Sequence, residues 1–109
     1  MPPSPRRGEV YLAKLDKLRP VIVLSVDALN KSALDVCIVP VTTKEHAKFS
    51  VRIPLAAGDG GLKYRCWAKC DQVTTLEKNL LQNFAIGVLS EEKFNLVQEQ
   101  VKVCLGLLP

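Results

Sequence analysis

Two unbroken apolar runs, "PVIVLSV" at residues 20–26 and "LDVCIVPVTT" at residues 34–43, constrain the fold of this 109-residue chain more than any other feature. Both are rich in β-branched residues and too short for core helices, which suits strands buried on both faces. Pro40 interrupts the second run and cannot donate to a ladder, so an edge or a bulge is expected there. Around these runs the pattern predicts further short strands. "GEVYLAKLD" (8–16) alternates with a two-sided character, and "FSVRIPL" (49–55) reads as half exposed. "YRCWAKCDQVTTL" (64–76) reads as one long strand or two, broken near Asp71, and "FAIGVL" (84–89) as a last strand.

Between them, "DALNK" suggests one helical turn, "KEHAKF" a charged connection, "AAGDGGLK" a turn and "EKNLLQN" a turn or short helix. One full helix is expected in "SEEKFNLVQEQVKVCLG". Ser90 caps it, Glu91 and Glu92 favour its first turn, and Gly106 stops it. Phe94, Val97, Val101, Cys104 and Leu105 form its apolar stripe, for core packing or a dimer face. Five to seven short strands and a C-terminal helix predict a mainly β fold, a small SH3-like β-barrel. Residues 1–6 are expected to fray, and 7–109 to form a single domain.

Composition narrows the class. No apolar run approaches the ~20 residues of a membrane span, and no h-region follows Arg6 and Arg7, so the cytoplasm is the expected location. The net charge of +4 is uneven: residues 1–72 carry an excess of +5 and the rest −1. That distribution fits a polyanion or an acidic peptide as partner, or simply a solvated surface. Cys66 and Cys70 are ~13 Å apart on a strand, too far for a disulfide. With no CxxC and one histidine, neither a metal nor a cofactor is expected, and the four cysteines read as reduced thiols.

Three stretches can carry chemistry. Arg19 precedes Pro20 and is pushed into an extended conformation at the mouth of a strand. It can grip a phosphate through two parallel N–H bonds, or pair with Asp16 or another carboxylate. Thr42 and Thr43 end a strand before Lys44; alternate residues face opposite ways, so at most one shares a cleft with Arg19. Otherwise they are good β-formers with satisfied hydroxyls. Trp67, Lys69 and Asp71 fall on one strand face, able to stack a base and track a backbone, or to form a rim ion pair beside a buried indole.

In order, "GEVYLAKLD", "RPVIVLSVDALN", "CIVPVTT", "AKCDQVTT" and "IGVLSEEKFNLVQEQVKVCLGL" resemble the MazF/PemK family of toxin endoribonucleases, from about Arg7 to Leu107. The resemblance implies a homodimer of SH3-like (CcdB/MazF/PemK-like) barrels that cuts single-stranded mRNA sequence-selectively and without a metal, held in check by an acidic MazE/PemI-like antitoxin. It implies attack of the 2′-hydroxyl on the adjacent phosphate, leaving 2′,3′-cyclic phosphate and 5′-hydroxyl ends. By position, Arg19 matches the family's catalytic arginine and Thr42 the threonine that partners it. Asp71 and Lys69 match an acidic and a basic position at the catalytic or RNA site, where several members carry arginine in place of the lysine, and either Asp71 or Arg19 could serve the proton transfers. Lys17, Thr43, Lys44, His46, Lys48 and Trp67 are the expected RNA-binding residues, with His46 a minor alternative as catalytic acid.

One departure stands out. Members commonly carry a long Gly- and Glu/Gln-rich loop before "RP", whereas "LDKLRP" leaves only Lys17 and Leu18 between Asp16 and Arg19. The shortened loop keeps a second reading open, a barrel that binds RNA or protein without cutting. A third, a gyrase poison as in the related CcdB group, depends on an exposed Trp-Gly-Ile helix ending; this chain ends "CLGLLP".

Overall fold

The β-branched runs form the centre of a curled antiparallel sheet. A computed structural model describes residues 4–45 and 51–107. In chain order the elements are β1 (Glu9–Lys14), β2 (Leu18–Val23), α1 (Asp27–Ser32), β3 (Asp35–Thr42), β4 (Arg52–Leu55), β5 (Cys66–Lys69), β6 (Thr74–Glu77), β7 (Gly87–Val88) and α2 (Glu91–Leu105). Short 3-10 turns at Asp59–Gly61 and Lys78–Leu80 complete it. The order across the sheet is β4-β5-β3-β2-β1-β7, with β6 also on β3. This is a half-barrel of the SH3-like kind with a C-terminal helix, as the element pattern predicts. Among the described residues no helix is long and apolar enough to cross a membrane.

Burial on both faces explains the two runs. Ile22, Val39 and Val41 point into a core shared with Val97 and Val101 of α2. Val21, Val23, Val36 and Ile38 point into a second core with Tyr11 and Leu81. Each such side chain stabilises the fold by about 1.5–3 kcal/mol. Pro40 stands where β3 changes partner: residues up to Ile38 pair with β6, and Val41 and Thr42 pair with β5. The missing N–H therefore falls in the gap between two ladders, the bulge-like position expected of it.

α2 begins as its sequence dictates. Ser90 Oγ accepts from the Lys93 N–H at 3.2 Å, and Gly106 closes the helix at φ 72°. Within the stripe, Val97 and Val101 are buried and Phe94 and Cys104 partly so, but Leu105 lies in the last turn and is exposed. In the segment expected to fray, Pro5 is buried and the Arg6 N–H donates to Glu9 at 2.6 Å. The Arg7 guanidinium lies 4.9 Å over the Phe94 ring and bonds Leu24 O and Gln98, tying the N-terminal arm to α2.

The last strand is shorter than its sequence suggests, because backbone crowds it. Gly87 lies so close to Gly60 and Gly61 that a Cβ there would stand 2.5 Å from the Gly60 carbonyl carbon. Gly61, at φ 79°, presses on the Ile86 carbonyl in the same way. Only glycine permits this approach, which draws the β4–β5 connection against β7 and narrows the barrel at one end.

Candidate active site

The register of β2 and β3 brings the arginine and the threonine together. Val21 pairs with Pro40, so the two share a face of the sheet. Two residues outward on each strand, alternation puts Arg19 and Thr42 on that same face. Both line a groove of about 500 Å³ whose walls also include Lys17, Pro20, Thr43 and Lys44. Thr43 shares it as well as Thr42, contrary to strict alternation, because β3 ends at Thr42 and the chain bends at the next residue.

Arg19 is held from one side. Its Nε and Nη2 donate to the two Asp16 oxygens at 2.8 and 2.9 Å, across the three-residue tip of the β1–β2 hairpin. The carboxylate alternative read from the sequence is thus present, but the pair is open to water: 42% of the Arg19 side chain and 67% of that of Asp16 are exposed. Asp16 takes the Nε side of the guanidinium and leaves the Nη1–Nη2 edge without a protein partner among the described residues, enough for a second bidentate partner. Hydrogen bonding from Arg19 holds the Asp16 carboxyl far below the usual carboxylate range, and the same contact raises Arg19.

The threonine is oriented just as specifically. Thr42 Oγ1 accepts the Lys44 N–H at 3.1 Å, and Arg52 Nη1 donates to the Lys44 carbonyl at 3.0 Å. The Lys44 backbone is fixed on both sides, and the Thr42 hydroxyl keeps its own proton to donate. A cationic fork and a hydroxyl donor on one exposed face suit charge that develops on non-bridging phosphate oxygens.

The other candidates are spread along β5. Trp67 pairs with Thr42 and shares its face, with the Arg65 guanidinium 5.3 Å above the indole. Lys69 lies two residues further, paired with Arg52 of β4. Asp71 is exposed in the turn beyond. None of these three lines the groove that holds Arg19. His46 and Lys48 lie outside the described residues.

Cys66 and Cys70 are buried and held as thiols. Burial, with Cys104 adding to it, pushes the Cys70 thiol up to about 12, and burial also raises Cys66. Among the described residues, no three His, Cys, Asp or Glu side chains are grouped to hold a metal.

Residues 6–105 match the family described as PemK-like, MazF-like toxin of type II toxin-antitoxin system. The chain belongs to this family. It is 28% identical over 115 residues to "Endoribonuclease MazF9" of Mycobacterium tuberculosis, covering 94% of this chain and 97% of the relative. A solved mycobacterial structure, "Endoribonuclease in complex with its cognate antitoxin", superimposes with a TM-score of 0.80 at 25% identity, over 97% of this chain and 96% of that one. A MazE-MazF structure from Deinococcus radiodurans shares the fold at 19% identity, TM-score 0.81, over 96% and 99% of the two chains.

In this PemK/MazF-like chain the structure adds two residues to those the sequence indicates, Arg52 as a brace and Tyr64 at the rim of the groove. A signal for the last was available. "LKYRCW" interleaves basic and aromatic residues, yet it was assigned to a strand that begins only at Cys66.

Proposed function

We propose that this protein is the toxin of a toxin–antitoxin pair, an endoribonuclease that cuts single-stranded mRNA with its own side chains and no metal. The family membership and the name of the mycobacterial relative support the class of reaction. The single observation that carries the assignment to residues is the convergence of Arg19 and Thr42 on one groove.

In this reading the 2′-oxygen loses its proton and bonds to phosphorus. The P–O5′ bond breaks, and the 5′-oxygen takes up a proton, leaving a cyclic phosphate. Arg19, presenting its Nη1–Nη2 edge, and the Thr42 hydroxyl stabilise the charge that grows on the non-bridging oxygens. Lys17, Lys44 and Thr43 flank the strand, and Trp67 and Lys69 receive its continuation along β5, with Asp71 at its end. His46 and Lys48, which follow Lys44 in sequence, extend the basic track.

The protein acts in the cytoplasm as a homodimer of single barrels spanning residues 7–109. An acidic antitoxin segment covers the basic face, in keeping with the charge excess of residues 1–72. The antitoxin-bound state of the mycobacterial structure supports such a partner.

The test is to incubate purified protein with a long RNA in EDTA and map the ends. Cuts with cyclic phosphate termini that disappear in Arg19→Ala are expected. An Arg19→Ala protein that cuts at the wild-type rate overturns the residue assignment. RNA bound but uncut returns the chain to the non-cleaving module, the reading that the short loop before Arg19 keeps open.

A further inference from the structure

Beside the groove, on the inner side of the same barrel mouth, lies a second cavity of about 310 Å³. Leu12, Pro20, Leu62, Cys66 and Ile86 make its wall, and it is closed at the back by the glycine approach between Gly61 and Ile86. Nothing in the chemistry above uses it. Its volume is at the small end of ligand sites, which run from about 300 Å³ upward, and its wall is almost wholly apolar.

Three residues, Pro20, Thr43 and Tyr64, line both hollows, so the cavity adjoins the groove that holds Arg19 and Thr42. Tyr64 stands at this junction with 70% of its surface exposed, a high value for an aromatic side chain, and Lys63 and Arg65 flank it. A free aromatic face bracketed by cations beside a phosphate groove has the composition of a stacking platform for single strands.

We propose that this cavity is a nucleobase pocket. It receives the unpaired base next to the phosphodiester held by Arg19 and Thr42, and Tyr64 stacks on that base at the entrance. The inference rests on the endoribonuclease reading and adds a specificity-determining subsite to it. Cleavage then requires a base at one defined position, because seating it draws the adjoining phosphate into the groove. Tyr64 and Leu12 select the substrate, and Arg19 and Thr42 react with it.

The probe is a series of short RNAs, each cut at one bond and each carrying a single abasic residue at successive positions around it. With the wild-type protein, the abasic residue at one position flanking the bond should lower kcat/KM about 10- to 100-fold, the range expected for one stacked base. In Tyr64→Ala, which removes an exposed side chain, that penalty should shrink to a few fold while penalties elsewhere stay the same. Leu12→Phe, which fills the cavity and leaves Tyr64 in place, should erase the same positional penalty.

Cleavage with equal abasic penalties in wild type and both variants overturns the pocket and leaves the nuclease intact. A loss of acidic-peptide binding in Tyr64→Ala, with the abasic penalties unmoved, assigns the cavity to an apolar side chain of a protein partner and also overturns it. Folded wild-type protein that cuts no RNA defeats the endoribonuclease reading itself, and this inference with it.

Discussion

Replacing Arg19 by lysine keeps the charge in the groove and removes only the planar fork. Arg19 has five N–H groups and donates two of them to Asp16, at 2.8 and 2.9 Å, leaving three free, two of them parallel on the Nη1–Nη2 edge. A lysine has three donors on one nitrogen. With one drawn to Asp16, the other two diverge and cannot reach two phosphate oxygens in parallel. The transition state thus loses one preorganised donor, a cost of about 10²–10³ in kcat, or about 2.7–4 kcal/mol. The Coulomb attraction that binds substrate and transition state alike is retained, so KM should change little.

The assay is steady-state cleavage of a chimeric oligonucleotide with a single cleavable ribonucleotide, repeated over a range of salt. Arg19→Lys should keep the wild-type salt slope. Arg19→Ala should lower the slope of log K against log salt by about 0.7, one phosphate contact on a single strand. A lysine variant with wild-type kcat, or a defect confined to KM, would refute the fork and reduce Arg19 to an electrostatic anchor.

Two further outcomes test the neighbours of Arg19. Thr42→Val keeps the shape and deletes the hydroxyl, so kcat should fall by about 10²–10³ while Thr42→Ser recovers most of it; a valine variant at wild-type rate ends the role of that hydroxyl. Asp16, its carboxyl depressed by Arg19, contributes stability that is complete above the unfolded value of about 3.9 and is lost as pH falls through the lower folded value. It stays ionised throughout the assay range, so Asp16→Asn should lower kcat by up to about 10²-fold through a loosened fork and leave the acid limb of the pH–rate profile in place. A displaced limb would mean that Asp16 itself titrates in the reaction.

The strands were legible where burial writes itself into sequence. Val21, Val23, Val36 and Ile38 alternate with Ile22, Val39 and Val41, and the two sets fill separate cores, as unbroken β-branched runs require. The break near Asp71 and the Ser90 cap were likewise local signals. The pairing of Arg19 with Thr42 was not local. It depends on Val21 meeting Pro40, a register set by packing across 18 residues of intervening chain. Thr43 escaped the alternation rule because the strand stops one residue earlier. β7 came out short because what trims it is backbone from Gly60 and Gly61, far away in sequence. Asp16 was visible as a partner for Arg19, but which edge of the guanidinium it would occupy is a matter of geometry.

Because β3 is hydrogen-bonded to β2, β5 and β6, Thr42 ends the most enclosed strand, and Arg19 sits on its immediate neighbour. The hairpin tip at 15–17 and the stretch 63–65 are exposed connections beside the groove, and apart from Asp16, which holds Arg19, they can change composition with little penalty to the framework. Reprogramming which transcript is severed therefore calls for libraries confined to those two connections, with Asp16 kept. The scissile machinery can be inherited unchanged from one variant to the next.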